Sequence, residues 1–169
     1  MSALFSCVRP TYQVVRPLQD DELNINPLDI LLVDKNRATL KFNNYVLQNA
    51  GHKVTIANDG EEALRIIQQK WIDDQSIFQV IMFDLHIPCD DAMYYTNIIK
   101  RELEGNLESN GIVMPSQFVV GMTKHTKYIN EQDYDKLLLK PFSLEQFNTM
   151  IRRSKHMIHY ITRFQKGFK

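Results

Sequence analysis

Cysteine is scarce in this chain: two in 169 residues, Cys7 and Cys89. They make no CxxC pair and suggest no disulfide framework, which fits a reducing compartment. Net charge is absent. Twenty Lys plus Arg offset twenty Asp plus Glu, so nothing draws the whole chain toward nucleic acid or an anionic membrane. No apolar run approaches the roughly 20 residues that span a bilayer. Arg9 and Arg16 lie near the N-terminus, yet no continuous apolar stretch lies between or after them, so no secretory signal is expected. Glycine is thin, with six residues. No glycine-rich phosphate loop opens a helix, which argues against a flavodoxin-like enzyme or nucleotide binder. What is present is 44% hydrophobic and 24% charged residues, the makings of one soluble, well-cored domain with tails.

Residues 1–27 read as an extension. Pro10, Pro17 and Pro27 interrupt it, Asp20-Asp21-Glu22 makes it acidic, and Tyr12 to Val15 suits a short edge strand or a docking segment. From residue 28 the pattern alternates. Ile30-Leu31-Leu32-Val33 is a short apolar run of the kind buried in parallel sheets. A helix over about 36–50 follows, with Leu40, Val46, Leu47 and Ala50 at helical spacing and Gly51 as its stop. Lys53 to Ala57 is the second strand. Asp59 is placed to cap a helix with Ala63, Leu64, Ile67 and Trp71 on one stripe. Val80 to Phe83, Phe118 to Met122 and Leu137 to Leu139 supply three more strands. Helices are expected over about 91–103 and 130–136, and a last one, capped by Ser143, runs past residue 160. Strict alternation of strand and helix predicts an α/β fold: a flavodoxin-like, doubly wound, five-stranded parallel sheet in order 2-1-3-4-5. The expected domain covers 28–155, with 156–169 as a C-terminal helical extension. Its stripe of Met157, Ile158, Ile161 and Phe164 reads first as packed structure, and second as a partner or homodimer surface.

Ligands of open α/β sheets bind outside the carboxyl ends of the strands. Four of those ends carry polar residues: Asp34, Asp84, Thr123 and Lys140. An aspartate can attack phosphorus and become an aspartyl-phosphate. A lysine can pair with phosphoryl oxygens, a threonine hydroxyl can donate to one, and a second carboxylate can help hold Mg²⁺. Asp34 reads equally well as a helix N-cap.

The segments Leu31-Leu32-Val33-Asp34, Phe83-Asp84-Leu85-His86-Ile87-Pro88, Val119-Val120-Gly121-Met122-Thr123 and Leu139-Lys140-Pro141-Phe142, in this order, resemble the receiver domain of phosphorelay response regulators. The resemblance spans residues 28 to about 153. It implies that Asp84 is the phosphoacceptor, that Thr123 and Lys140 contact the phosphoryl group, and that Mg²⁺ is held by Asp34, Asp84 and the backbone carbonyl of His86. It implies a histidine phosphotransfer protein or histidine kinase as donor and a downstream protein effector, with no direct contact to nucleic acid or membrane. The chain would be no enzyme beyond its own phosphoacceptor chemistry. Its output would be the face made by the fourth helix, fifth strand and fifth helix. A Lys-Pro peptide in this fold is expected to be cis and to aim Lys140 inward. The insert over 104–116 and the N-terminal extension resemble those of eukaryotic, fungal-type receivers. The cytoplasm is the expected location, with the nucleus second.

The departures are specific. The family's acidic pair is Asp34-Lys35 here. Lys35 is therefore expected either to pair with Asp84 in the metal's place or to weaken metal binding. The aromatic position before Lys-Pro is Leu137, the glycine after Pro-x-x-Asp is Ala92, and His86 stands two residues past the phosphoacceptor. A phosphorylation-independent pseudo-receiver, acting as a protein-binding module, is the rival reading.

Overall fold

The structure, a computed structural model, describes residues 25–86, 94–102, 117–124 and 134–167. Five strands, β1 (Asp29–Val33), β2 (Lys53–Ala57), β3 (Val80–Asp84), β4 (Phe118–Thr123) and β5 (Lys136–Leu139), pair in parallel in the order β2-β1-β3-β4-β5. This is the doubly wound order expected. β1 and β3 are neighbours while the chain leaves them in opposite directions across the sheet, so the crevice at their carboxyl ends is the topological switch point. The central strands β3 and β4 are buried along their whole length, hence their unbroken apolar runs. The edges are mixed: Ile56 on β2 and Leu139 on β5 face solvent.

The helices start where side chains satisfy their first N–H groups. In α1 (Arg37–Asn49), the cap is Asn36, whose side chain accepts from the N–H groups of Ala38 and Thr39. Asp34 is therefore no helix cap, and its carboxylate is left for other contacts. Leu40 and Leu47 are buried, together with Asn43, while Val46 and Ala50 are half-buried. Gly51 follows at φ +90°, a conformation that favours glycine. α2 (Gly60–Asp74) is capped by Asp59, and Glu62 reaches back to the N–H of Asn58. Ala63, Ile67 and Trp71 are buried. Gly60 lies against the Tyr95 ring, with no room for a Cβ. Beyond β3, residues 94–97 are helical and pass into a π-helical turn, Ile98–Glu102.

Two expectations need correction. The last helix is not continuous. α3 (Leu144–Arg153), opened by a capping box between Ser143 and Gln146, stops at Ser154. α4 (Lys155–Gly167) begins beyond it. Ser154 is buried and its N–H bonds back to Met150 and Ile151. Beyond the turn Ile158 and Ile161 enter the core and Thr162 Oγ1 accepts a 2.6 Å bond from Gln79. Two residues of the apolar stripe, Ile158 and Ile161, thus pack on their own domain, whereas Met157 is exposed. The helix over 130–136 also fails at its end: Tyr134 and Asp135 form a bend and Lys136 opens β5. Asp135 explains this, because its N–H donates to Val119 O at 2.9 Å and its carboxylate accepts from Val119 N at 2.7 Å. Pairing of that kind draws the chain onto β4. Residues 1–24, the rest of that helix and the insert over 104–116 lie outside the described residues. Among the described residues no helix is long and apolar enough to cross a membrane.

Candidate functional site

Each strand end delivers one side chain to the switch point. Asp34 follows β1, is fully buried and is fixed by its N–H to Ala57 O at 3.2 Å. Asp84 ends β3, next to Met122 in register, and is 5% exposed. Thr123 ends β4 and is buried, opposite Leu139 of β5. Lys140 follows β5. Its N–H donates to Thr123 O, its peptide bond to Pro141 is cis, and its side chain points inward with 8% exposure.

The Lys140 ammonium joins the two carboxylates. Its Nζ is 2.7 Å from Asp34 Oδ2 and 2.9 Å from Asp84 Oδ1. The other Asp34 oxygen, Oδ1, accepts from the N–H of Asn36 at 2.8 Å. Asn36 thus starts α1 and orients Asp34. Sequence reasoning missed this residue, although an Asn two positions past a strand-end Asp is a recognisable side-chain–backbone turn signal. Asp84 Oδ1 also accepts from the N–H of His86 at 3.2 Å. The His86 imidazole Nδ1 stands 3.7 Å from the same oxygen, with its side chain 39% exposed at the mouth of the site.

Two carboxylates face one ammonium, which leaves the pocket short of positive charge. Asp34 registers this: burial pushes its carboxyl up, and the neighbouring charge of Asp84 adds to the rise. Hydrogen bonds from Lys140 and Asn36 oppose it. Behind the site β4 comes close to its neighbours. A Cβ on Gly121 would lie 2.8 Å from Leu137, 2.9 Å from Leu85 and 3.1 Å from Tyr134, so glycine there lets these side chains close the floor.

Lys35 is exposed and makes no ion pair among the described residues. The Lys35–Asp84 pair, one of the two expectations for this residue, is not formed; the ammonium on Asp84 is that of Lys140. A group of three or more His, Cys, Asp or Glu that could hold a metal does not occur among the described residues. The donors present, two buried carboxylates with an unbalanced charge, still suit a hard cation such as Mg²⁺, which takes one or two carboxylates and keeps several waters.

No protein-family model matches the chain. It is 33% identical over 75 residues to probable histidine kinase 1 of Oryza sativa subsp. indica, covering 44% of this chain and 7% of the kinase. Over 131 residues it is 30% identical to hybrid signal transduction histidine kinase K of Dictyostelium discoideum, covering 72% of this chain and 10% of that protein. The chain therefore spans a tenth or less of the curated relatives it matches. Among solved structures, chemotaxis protein CheY4 of Vibrio cholerae aligns with a TM-score of 0.56 at 23% identity, over 76% of this chain and 98% of that one. A chain of the Saccharomyces cerevisiae complex between the histidine phosphotransfer protein Ypd1 and the receiver domain of the response regulator Ssk1 aligns at 0.59 and 18% identity, over 74% and 86%. TrrA of Thermotoga maritima, in complex with Mg²⁺ and BeF, aligns at 0.54 and 17%, over 73% and 96%.

The sheet order and these structures define the class: a CheY-like α/β fold of the flavodoxin type. Within that class the solved neighbours include response-regulator receiver domains, and the sequence relatives are histidine kinases.

Proposed function

We propose that Asp84 accepts a phosphoryl group from a phosphohistidine on a partner protein, and that the domain signals through protein contacts. The observation that carries this reading is the buried Lys140 ammonium shared by Asp34 and Asp84 at the switch point. An Asp84 oxygen attacks phosphorus, the phosphorus–nitrogen bond breaks, and its electron pair returns to the donor imidazole, which takes up a proton. The product is an acyl phosphate. Lys140, 2.9 Å from Asp84, pairs with the incoming phosphoryl oxygens, and the Thr123 hydroxyl donates to one of them. Asp34, Asp84 and the main-chain carbonyl of His86 would hold Mg²⁺, which when bound supplies further charge neutralisation at those oxygens. The Mg²⁺–BeF complex of TrrA supports a metal in such a fold, and the Ypd1–Ssk1 complex supports a phosphotransfer protein as donor. The output surface in this reading lies around β5 and α3, where Leu139 is exposed.

Incubation with Mg²⁺ and a phosphorylated histidine phosphotransfer protein tests the proposal. Base-labile label should appear on the wild type and be absent from Asp84→Asn. Label that survives Asp84→Asn refutes the site. No label on the wild type, where an ordinary receiver is labelled in parallel, selects the pseudo-receiver. Lys35 in the place of an acid and the two-carboxylate site are the observations that favour that second reading.

A further inference from the structure

After Glu145 the chain holds no acidic residue and six cations: Arg152, Arg153, Lys155, Arg163, Lys166 and Lys169. The whole chain is neutral, so everything before them carries the matching acidic excess. Three of them, Lys155, Arg163 and Lys166, belong to α4, while Arg152 and Arg153 close α3 just before it, and the inner side of α4 is already committed. Ile158 and Ile161 are in the core, and Thr162 is clasped by Gln79. The outer side presents His156, His159, Tyr160 and Arg163, with Lys155 and Met157 at its margins. Tyr160 is 63% exposed and Met157 43%. At helical spacing Tyr160 lies beside both His156 and Arg163, so an exposed aromatic ring sits among cationic and titratable neighbours, uncovered by the other described residues.

We propose that the outer face of α4 docks an acidic segment of a partner protein, with carboxylates around an apolar side chain that packs on Met157 and Tyr160. Charge complementarity is the first argument, and composition the second: Tyr, Met and Arg are the side chains that protein interfaces favour. Other occupants fit less well. Nucleic acid would be held through a handful of phosphate contacts, which give weak, non-specific binding at physiological salt. A bilayer takes up an apolar helix face, and that of α4 is spent on the core. A second copy of this helix would bring like charges together.

The surface is remote from the phosphoacceptor. Gln79, which holds α4, immediately precedes β3, whereas Asp84 ends it. Five residue steps along the strand separate the two by about 16 Å. A partner on α4 therefore leaves the crevice open, and the domain can be tethered while it exchanges phosphate. This inference does not depend on Asp84 being phosphorylated.

The test titrates the isotope-labelled full chain with a short amphipathic peptide of Glu and Leu and follows backbone amide shifts. Shifts should be confined to residues 153–163, weaken with salt, and correspond to an affinity that falls at least about tenfold in Tyr160→Ala/Arg163→Glu. Both side chains are exposed, so the variant's melting temperature should match wild type and confirm that it is folded. Absent shifts, shifts spread over the whole domain, or an unchanged affinity in the double variant overturn the proposal. So does tighter binding at the same amides by a short DNA duplex or by phosphatidylserine vesicles than by the peptide.

Discussion

Both ends of the sheet set carboxylates against lysines, in opposite proportions. At the carboxyl end, Asp34 and Asp84 share the single ammonium of Lys140, and all three are buried. At the amino end, Asp29 alone receives two, Lys70 at 2.9 Å and Lys53 at 3.8 Å, and is partly open to water. Around Asp29 both lysines meet one carboxylate oxygen, Oδ2, and the main chain is fully engaged, although Oδ1 has no hydrogen-bond partner among the described residues. Gln79 accepts from its N–H and donates to its carbonyl, then passes a bond to Thr162, while the Lys70 ammonium also lies 4.9 Å over the Phe78 ring. The first end keeps excess negative charge in a dry place, and the second neutralises it. The first arrangement attracts further cationic or electrophilic groups; the second only holds strands and helices together. Similar residue types thus give a reactive end and a structural one, and the ratio of charges decides which is which.

The largest effect that separates the ends is the loss of each lysine. Lys140→Met strands two buried carboxylates and should cost about 3–5 kcal/mol of stability. It should also slow phosphoryl acceptance about a hundredfold, by removing a positioned charge from the transition state. Lys70→Met leaves Asp29 with Lys53 and water, and should cost about 1 kcal/mol with no change in phosphotransfer. Urea unfolding and a phosphotransfer time course measure both. Equal losses of stability at the two ends would break the comparison.

Lys35→Asp sharpens it from the other side. The change adds a third carboxylate beside Asp34, and Mg²⁺ affinity should rise about tenfold or more. A Mg²⁺ titration of both proteins decides, and an unchanged affinity would mean that Lys35 does not stand where the missing ligand belongs.

Asp34→Asn asks whether the reactive end is held at a cost. The folded-state pKa of Asp34 is raised, chiefly by burial. A raised carboxyl contributes stability that is fully present below its unfolded value of about 3.9 and is lost as pH rises through the folded value. Asparagine removes that dependence. The metal-free variant should therefore be more stable than wild type at pH 7, by a margin that shrinks as pH falls toward 4, while phosphoryl acceptance drops. A variant less stable at pH 7 would show that the Lys140–Asp34 bond outweighs burial.

The carboxyl end was the legible one. Asp34, Asp84, Thr123 and Lys140 are each adjacent in sequence to an apolar run, so local pattern places them at strand ends, and the strand order brings them together. The caps at Asp59 and Ser143 are local signals as well, and both were read. What local pattern does not contain is which partner a side chain selects. Lys140 reaches Asp34 from 106 positions away and also pairs with Asp84, for which the sequence suggested Lys35 as a partner. The amino end is built almost wholly from such distant pairs. Asp29 with Gln79 and Gln79 with Thr162 are 50 and 83 positions apart, and none of these residues stands out beforehand. The break at Ser154 was hidden for a related reason. Serine is tolerated inside a helical pattern, so local pattern gives no reason to end the helix there.

The smallest expected effect belongs to the amino end and concerns His52. Its Nδ1 accepts the N–H of Leu28 at 3.3 Å, and its ring meets Phe147 edge-on at 5.4 Å. An accepting nitrogen must be unprotonated, and burial lowers the pKa of the imidazole accordingly. The unfolded chain takes up its proton near pH 6.5, whereas the folded chain takes it up only at lower pH. Stability is thus fully present above about pH 6.5 and is lost as pH falls from there to the depressed folded value, by at most about 1.4 kcal/mol per pH unit. His52→Gln keeps an acceptor without the titration. Its stability should start lower, for loss of the ring contact, and stay flat between pH 7 and 5.5, where wild type declines. Parallel curves would mean that His52 is as open to protons folded as unfolded, and the amino end would then have to be regarded as wet rather than closed.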